Sequence, residues 1–182
     1  MRKIAMGFSK ALLVFAVALL GVIAVPAGNA FALPAVDPTV PPPTVANQRL
    51  ELVWARLQAE HARLEVIFDF ADERIAGMQQ PIARARANGK DVSDLQSALD
   101  ILQNAIELAR PVFQSTNGII GSHQGFDSNG NVTDRNAALE TVKDLAEKYR
   151  QVRIIVQPAL QSLRQAVQDF RQTNTPISTP SS

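Results

Sequence analysis

The spacing of apolar residues along this chain constrains its fold more than any other feature. Three stretches repeat them at alternating steps of four and three, which keeps one face of a helix against a partner helix. The first core series is Leu50, Trp54, Leu57, His61, Leu64, Phe68, Ala71, Ile75, Met78, Ile82 and Ala85. The second is Leu95, Leu99, Leu102, Ile106, Ala109, Phe113, Thr116 and Ile120. The third is Ala138, Val142, Leu145, Tyr149, Val152, Val156, Ala159, Leu163, Ala166 and Phe170. Only His61 and Thr116 interrupt their apolar character, so the pattern predicts three long helices of the coiled-coil type.

Capping and turn residues mark the expected helix ends. Asn47 is a good N-cap for the first helix, and Asn88-Gly89 is a good stop because glycine adopts the left-handed conformation freely. We therefore expect helices at about 47–87, 94–121 and 134–172.

The other caps and the connections predict the topology. The second helix begins after Asp91 or Ser93, and Ser93 and Gln96 have capping-box spacing. Thr133 or Asp134 can cap the third helix. The short first connection makes the first two helices antiparallel neighbours, and the longer second one lets the third helix return beside both. The sequence predicts an all-α fold, an antiparallel three-helix bundle over 47–172.

Each predicted helix contains one proline, which removes a backbone hydrogen bond and clashes with the preceding turn. All three prolines lie outside the core series, which continue through them. We therefore expect kinked helices and not broken ones at Pro81, Pro111 and Pro158.

Residues 1–32 resemble an export signal. Basic residues at the start precede an uncharged apolar run over 11–25, and Ala30-Phe31-Ala32 has the small residues that signal peptidase requires. The run is shorter than the roughly 20 residues that span a membrane. We expect cleavage after Ala32, with cleavage after Ala30 or retention as a membrane anchor as alternatives. The protein is then secreted or extracytoplasmic, in the periplasm or on the cell surface.

Two further segments flank the helices. Five of the fourteen residues of 33–46 are proline, which predicts a stiff, extended linker. Residues 173–182 are uncharged and have little to bury, so we expect a disordered tail. Removing the signal, with its three basic and no acidic residues, changes the formal net charge from +1 to −2. Nothing in that balance indicates a nucleic-acid partner.

The segment between the second and third helices contains the strongest candidate for a ligand site. Asp127, Asn129, Asn131 and Asp134 place oxygen atoms near one another, as at the start of a calcium loop. An EF-hand would need glycine at its sixth position and glutamate at its twelfth, where this chain has valine and alanine. A tight turn at Asn129-Gly130 is the favoured interpretation.

The two histidines are the other candidates for metal ligands. His61 lies within the first core series with Glu65 one turn away, and His123 lies in the loop after the second helix. We expect the two at the same end of the bundle, but a zinc site needs three or four ligands. A core histidine hydrogen-bonded to a neighbour is therefore the favoured interpretation of His61.

The third helix also has a row of uncharged amides on its outer face. Such side chains can bind a partner or a glycan, but a polar outer face is what any bundle helix presents to solvent. We expect a solvated face at Gln157, Gln161, Gln165, Gln168 and Gln172.

These features predict a non-enzymatic interaction or structural module of the cell envelope. The sequence has no nucleophile beside a base, no phosphate-binding loop and no carboxylate cluster, so we expect no catalysis and no cofactor. The partner would be a protein or the cell wall, with membrane contact only through an uncleaved signal, and self-association is possible. The alternatives are a small-ligand or metal-binding module using the 123–134 loop and a periplasmic-type helical chaperone.

The two connections carry a family resemblance. Residues 87–95, ANGKDVSDL, and 125–134, GFDSNGNVTD, resemble the connections of a family of exported, uncharacterised bacterial helical-bundle proteins. The resemblance covers roughly 47–172 and implies a topology but no activity. The chain also resembles the small periplasmic stress chaperones in size and helicity, but it lacks their paired Leu-Thr-x-x-Gln motifs.

Overall fold

The computed structural model describes residues 43–174, which are almost entirely helical. The four helices are α1 (Pro43–Ala87), α2 (Ser93–Gln114), α3 (Thr116–Ser122) and α4 (Arg135–Asn174). Within the described range there is no β-strand, only an isolated antiparallel bridge between Phe126 and Val132. The predicted signal, most of the predicted linker and nearly all of the predicted tail lie outside the described residues. No helix within 43–174 is long and apolar enough to cross a membrane.

Helix α1 begins earlier than its predicted N-cap. It starts at Pro43, so Pro43–Ala46 belong to the helix and not to the linker predicted over 33–46. Proline suits a first helical position because its φ is already helical and its missing N–H would have no partner there. Asn47 lies inside the helix, and its side-chain oxygen has no hydrogen-bond partner. The prediction that Asn47 caps α1 is therefore wrong.

The second predicted helix is divided at Ser115 into α2 and α3. The Ser115 hydroxyl donates to the Val112 carbonyl at 2.6 Å, and the Thr116 hydroxyl donates to the Phe113 carbonyl at 2.6 Å. Side chains that bond nearby carbonyls in this way compete with the regular helix pattern. Pro111, which has no N–H, lies one turn before the division. The predicted helix over 94–121 is thus two helices.

The helix ends between α1 and α2 follow local chemistry. Gly89 has a φ of +72°, and the N–H groups of Lys90 and Gly89 donate to the carbonyls of Ala85 and Arg86. This is a Schellman stop. Asp91 accepts the backbone N–H of Ser93 at 3.0 Å and its hydroxyl at 2.7 Å. Asp91 therefore caps α2, and the Ser93–Gln96 capping box does not form.

Helix α4 begins at one of its two predicted caps. Asp134 Oδ1 accepts the backbone N–H groups of Asn136 at 2.9 Å and Ala137 at 3.1 Å. These are two of the donors that a helix N-terminus leaves without partners inside the helix. Asp134 is the N-cap, which confirms that alternative.

The three prolines lie inside helices, as predicted. Pro81 is in α1, Pro111 in α2 and Pro158 in α4, and none of these helices ends at its proline. Pro111 and Pro158 are exposed and Pro81 is half-buried. Each helix continues past its proline, although α2 ends at Gln114, one turn after Pro111.

The core series are the buried faces of the helices. All of their residues are buried except Leu50, His61, Ile120 and Phe170, which are half-buried. Several buried residues lie outside the series and widen these faces: Ala46, Val92, Ala98, Ala105, Phe126, Thr141, Leu160 and Val167.

The described residues divide into two compact units. One contains Phe70–Glu107 and 155–174, and its buried side chains are aliphatic, with Leu99 and Leu102 fully enclosed. Small and branched aliphatic side chains fill such a core in few rotamers.

The other unit contains 43–69 and Leu108–Ile154 and has an aromatic core. Phe68 stacks on Phe113 at 4.9 Å, and Phe113 stacks on His61 at 5.0 Å between ring centroids. The guanidinium of Arg110 lies 5.9 Å from the Phe68 ring and donates to the Phe68 carbonyl at 3.0 Å. This unit also contains the 123–134 loop.

Candidate functional site: the 123–134 loop and its groove on α1

The tip of the 123–134 loop is a closed turn. Gly130 N–H donates to the Asp127 carbonyl at 3.0 Å, and Asp127 N–H donates to the Asn131 carbonyl at 2.9 Å. Ser128 and Asn129 are therefore the central residues, and Gly130 follows them with a φ of +83°. The sequence correctly predicted a turn but wrongly centred it on Asn129-Gly130. Aspartate before the central pair and glycine after it are the residues that such a turn prefers.

The Asp127 carboxylate holds this turn together. Its Oδ1 accepts the backbone N–H groups of Asn129 at 2.9 Å and Asn131 at 2.8 Å, and its Oδ2 accepts the Asn131 side-chain amide at 2.9 Å. The side-chain and then the backbone bonds from Asn131 lower the pKa of Asp127. Donors from the loop itself thus surround both carboxylate oxygens.

The side chains of three of the four candidate calcium ligands form hydrogen bonds within the loop and the start of α4. Asp127 and Asp134 each accept backbone N–H groups, Asn131 donates to Asp127, and Asn129 contributes its backbone. Within 43–174, no three histidine or acidic side chains are grouped so that they could hold a metal ion. The geometry favours the structural turn over the metal site.

We expect Asp127→Ala to lower the melting temperature in metal-free buffer, because three hydrogen bonds of the turn lose their acceptor. Calcium should then raise the melting temperature of neither the native chain nor the variant. Thermal unfolding followed by circular dichroism, with calcium and with chelator, measures both effects.

Asn129→Ala is the matched control. Only the backbone of Asn129 is bonded to Asp127, so this variant should have the same melting temperature as the native chain. A calcium-dependent rise in melting temperature that Asp127→Ala abolishes would instead establish a metal site.

The loop is fixed to α1 by one aromatic stack and one hydrogen bond. The Phe126 ring lies 4.8 Å from the Trp54 ring at an interplanar angle of 11°. Val132 N–H donates to the Glu51 carboxylate at 3.1 Å. Trp54 is 1% exposed, and a Cβ at Gly130 would lie 3.4 Å from its ring. The loop therefore covers Trp54.

Further contacts fix the loop to α4. The Thr141 hydroxyl donates to the Gln124 carbonyl at 2.8 Å, and the N–H groups of Thr133 and Asp134 donate to the Gly125 carbonyl. Gly125 has a φ of +84° and lies against the backbone of Ala138. Sequence reasoning missed Phe126 and Thr141. The available signal for Phe126 was a phenylalanine in a loop whose other residues, apart from Val132, are polar or glycine.

A shallow groove of about 420 Å³ lies between the loop tip and α1. Four amide side chains give it hydrogen-bond donors and acceptors, Glu51 adds a carboxylate, and Leu52 and Ala55 add apolar surface. Its amide residues are Gln48, Gln58, Asn129 and Asn131. Such a lining can bind polar groups of a partner.

The two polar residues of the core series are partners of each other. His61 Nδ1 lies 3.2 Å from the Thr116 hydroxyl, which is fully buried and donates to the Phe113 carbonyl. That hydroxyl has only one hydrogen, so Nδ1–H of His61 must be the donor to it. The interpretation of His61 as a core histidine bonded to a neighbour is confirmed. Nδ1 of His123 instead lies 3.0 Å from the Gly121 carbonyl.

Burial around the His61–Thr116 pair shifts the pKa values of two side chains. Burial lowers the pKa of His61 below its usual 6.5, and the Glu65 carboxylate partly offsets this effect. Burial also raises the pKa of the Tyr149 hydroxyl, with a further contribution from the Glu60 carboxylate. That hydroxyl donates to the Leu57 carbonyl at 3.3 Å. At neutral pH both side chains are therefore uncharged.

We expect the protein to lose stability as the pH falls below about 6.5, the usual pKa of histidine. The unfolded chain binds the His61 proton at a higher pH than the folded chain does, so protonation favours unfolding. The melting temperature at a series of pH values from neutral to mildly acidic measures the loss.

His61→Gln should reduce this acid sensitivity, because glutamine can still donate to Thr116 but does not titrate. His123→Gln should leave it unchanged, which isolates one of the two histidines. If His61→Gln keeps the full acid sensitivity, His61 is not its source.

The glutamine row of α4 is exposed at all five positions. Gln165 donates to Asp169 at 2.9 Å, one turn further along the same helix. The prediction of a solvated outer face is confirmed.

Comparisons of this chain with protein families, curated proteins and solved structures find no match. The resemblance seen in the two connections therefore stays a prediction, and any proposal about function rests on the loop and its groove.

Proposed function

We propose that this chain is an exported, non-enzymatic helical interaction module of the cell envelope. Its binding surface is the tip of the 123–134 loop with the adjoining groove. The observation that carries the proposal is the Phe126–Trp54 stack, which fixes the loop on α1 while Ser128 and Asn129 stay exposed. A rigid scaffold that displays polar loop residues is the common design of binding sites on loops.

An antiparallel three-helix bundle is the fold we infer for this module. Two contacts support it: Phe68 of α1 stacks on Phe113 of α2, while His61, two turns earlier in α1, bonds to Thr116 at the start of α3. This order of contacts supports opposite chain directions for α1 and the segment formed by α2 and α3. Leu57 of α1 and Tyr149 of α4 are also bonded, so all three long helices contribute to this unit.

Export is the part of the proposal that rests on sequence alone. The basic start, the apolar run and Ala30-Phe31-Ala32 favour cleavage after Ala32. Mass spectrometry of the protein recovered outside the cytoplasm should find a chain that begins at Leu33, or at Phe31. An intact mass that includes Met1 would indicate a retained anchor.

The binding surface can be tested with the full chain. We expect native chain to sediment with purified cell-wall sacculi or to retain an envelope protein. Ser128→Ala/Asn129→Ala should abolish that binding without changing the melting temperature, because neither side chain supports the turn.

Gln161→Ala/Gln168→Ala, on the exposed face of α4, is the matched control and should bind like the native chain. If the loop variant binds like the control, the loop is not the binding surface. If native chain binds neither fraction, the proposed function is wrong.

A further inference from the structure

Helix α1 has a second apolar face that its core series does not use. Seven residues at alternating steps of three and four lie on this face, six apolar and one glutamine, and all are exposed. We call them the outer row: Val45, Gln48, Leu52, Ala55, Ala59, Ala62 and Val66. Leu52 is 62% exposed and Val66 is 53% exposed. This is the spacing of a coiled-coil seam. Its first positions are Val45, Leu52, Ala59 and Val66, and its second positions, between them, are Gln48, Ala55 and Ala62.

The charges beside the outer row differ in sign on its two sides. One edge is acidic and polar, because Glu51, Gln58 and Glu65 each directly precede a first position of the row. The other edge is basic, because Arg49, Arg56 and Arg63 each directly follow a second position of the row. In a coiled coil these two edges flank the seam and determine partner and orientation.

We propose that the outer row pairs with the outer row of a second copy of this chain, with the two α1 helices parallel and in register. In a parallel pair, an acidic-edge residue faces the basic-edge residue five positions later in the other helix. Glu51 then meets Arg56 of the second copy, and Gln58 meets Arg63. An antiparallel pair would place arginine against arginine and glutamate against glutamate, which is unfavourable.

The inference deepens the proposed function, on which it rests, by naming the occupant of the α1 side of the groove. Glu51, Leu52, Ala55 and Gln58 line that side. Their carboxylate and amide oxygens suit the guanidinium of Arg56 from the second copy, because arginine has five donors and no acceptor. The outer row spans 45–66, about 32 Å at 1.5 Å per residue, or three heptads.

Sedimentation velocity of the purified full chain gives the first test. The mass should rise toward twice that of the monomer with increasing concentration. Leu52→Glu/Val66→Glu should be monomeric throughout with an unchanged helical spectrum, because both side chains are already in solvent. A native chain that stays monomeric at every concentration overturns the inference, and so does a dimer that this variant does not affect.

Gln58 tests the orientation. Gln58→Glu should tighten the dimer by about two- to tenfold, because it creates an ion pair with Arg63 of each partner, and Gln58→Lys should weaken it similarly. In an antiparallel pair the two variants would have the opposite effects on the affinity of the dimer, since position 58 would then lie near Glu51 and Glu65 of the other copy. Tightening by Gln58→Lys would therefore overturn the parallel arrangement.

Cysteine cross-linking gives an independent test, since the native chain contains no cysteine. Leu52→Cys and Val66→Cys, made separately, should each form disulfide-linked dimers under mild oxidation, because each position faces itself in a parallel pair. An antiparallel pair can bring at most one of them together. Gln161→Cys is the exposed control and should stay monomeric.

These results are distinguishable from a failure of the proposed function. A chain that binds the envelope but never dimerises removes only the second copy as occupant of the α1 face. A chain that dimerises as described but binds no envelope fraction removes the envelope partner and leaves the dimer.

Discussion

Gly125→Ala should lower the free energy of unfolding by about 2–5 kcal/mol. Two costs add: about 1–2 kcal/mol for an L-residue in the left-handed conformation and about 1–3 kcal/mol for overpacking. Gly125 has a φ of +84°, and a Cβ there would overlap the backbone of Ala138 and lie 2.6 Å from the Asp134 carbonyl. Backbone atoms at the start of α4 cannot move aside as a side chain could. Chemical denaturation measures the change.

Two other glycines separate these costs. Gly89 has a φ of +72° with nothing within 4 Å of its Cβ position, so Gly89→Ala should show only the conformational cost. Gly118 lies in α3 with open space around it, and Gly118→Ala should stabilise the protein by about 0.5–1 kcal/mol. If Gly125→Ala costs no more than Gly89→Ala, the loop does not lie against α4 as described.

Leu102→Ala and Leu145→Ala should each destabilise the protein by about 2–5 kcal/mol, the usual cost of emptying a buried leucine site. Both side chains are 0% exposed, and they lie in different units. Each variant therefore tests a separate core. Urea unfolding followed by circular dichroism gives the free energies, and the tryptophan fluorescence of Trp54 reports on one unit alone.

Gln161→Ala is the control for both leucines. It is exposed on α4 and should change the free energy of unfolding by less than about 0.5 kcal/mol. Equal effects at Leu102, Leu145 and Gln161 would contradict the assignment of the core series.

The repeated spacing of apolar residues was enough to predict the buried faces of the long helices. Each series has many members, so a polar residue at one position, such as His61, does not hide the pattern. The roles of residues that act within one turn of the chain could also be predicted: Gly89 stops α1 and Asp134 caps α4. Such signals are local and involve few alternatives.

The predicted helix boundaries were wrong where two local rules competed. Asn47 has the chemistry of an N-cap, but Pro43 is already suited to a first helical position and α1 begins there. At Ser115, hydroxyl bonds to the preceding turn divide a helix that the core series would continue. Neither competition can be decided from residue types alone, because the residues at each position are compatible with both outcomes.

By itself, the sequence determined the helical fold, the buried faces and the presence of a turn at the loop tip, because these depend on residues within a few positions of one another. Only the tertiary structure decided that Phe126 covers Trp54 and that His61 bonds to Thr116, 55 residues away. Those pairs have no local signal, since each forms only where the packing of separate helices brings distant positions together. The candidate site belongs to this second class, because one wall of its groove comes from α1 and the other from the 123–134 loop.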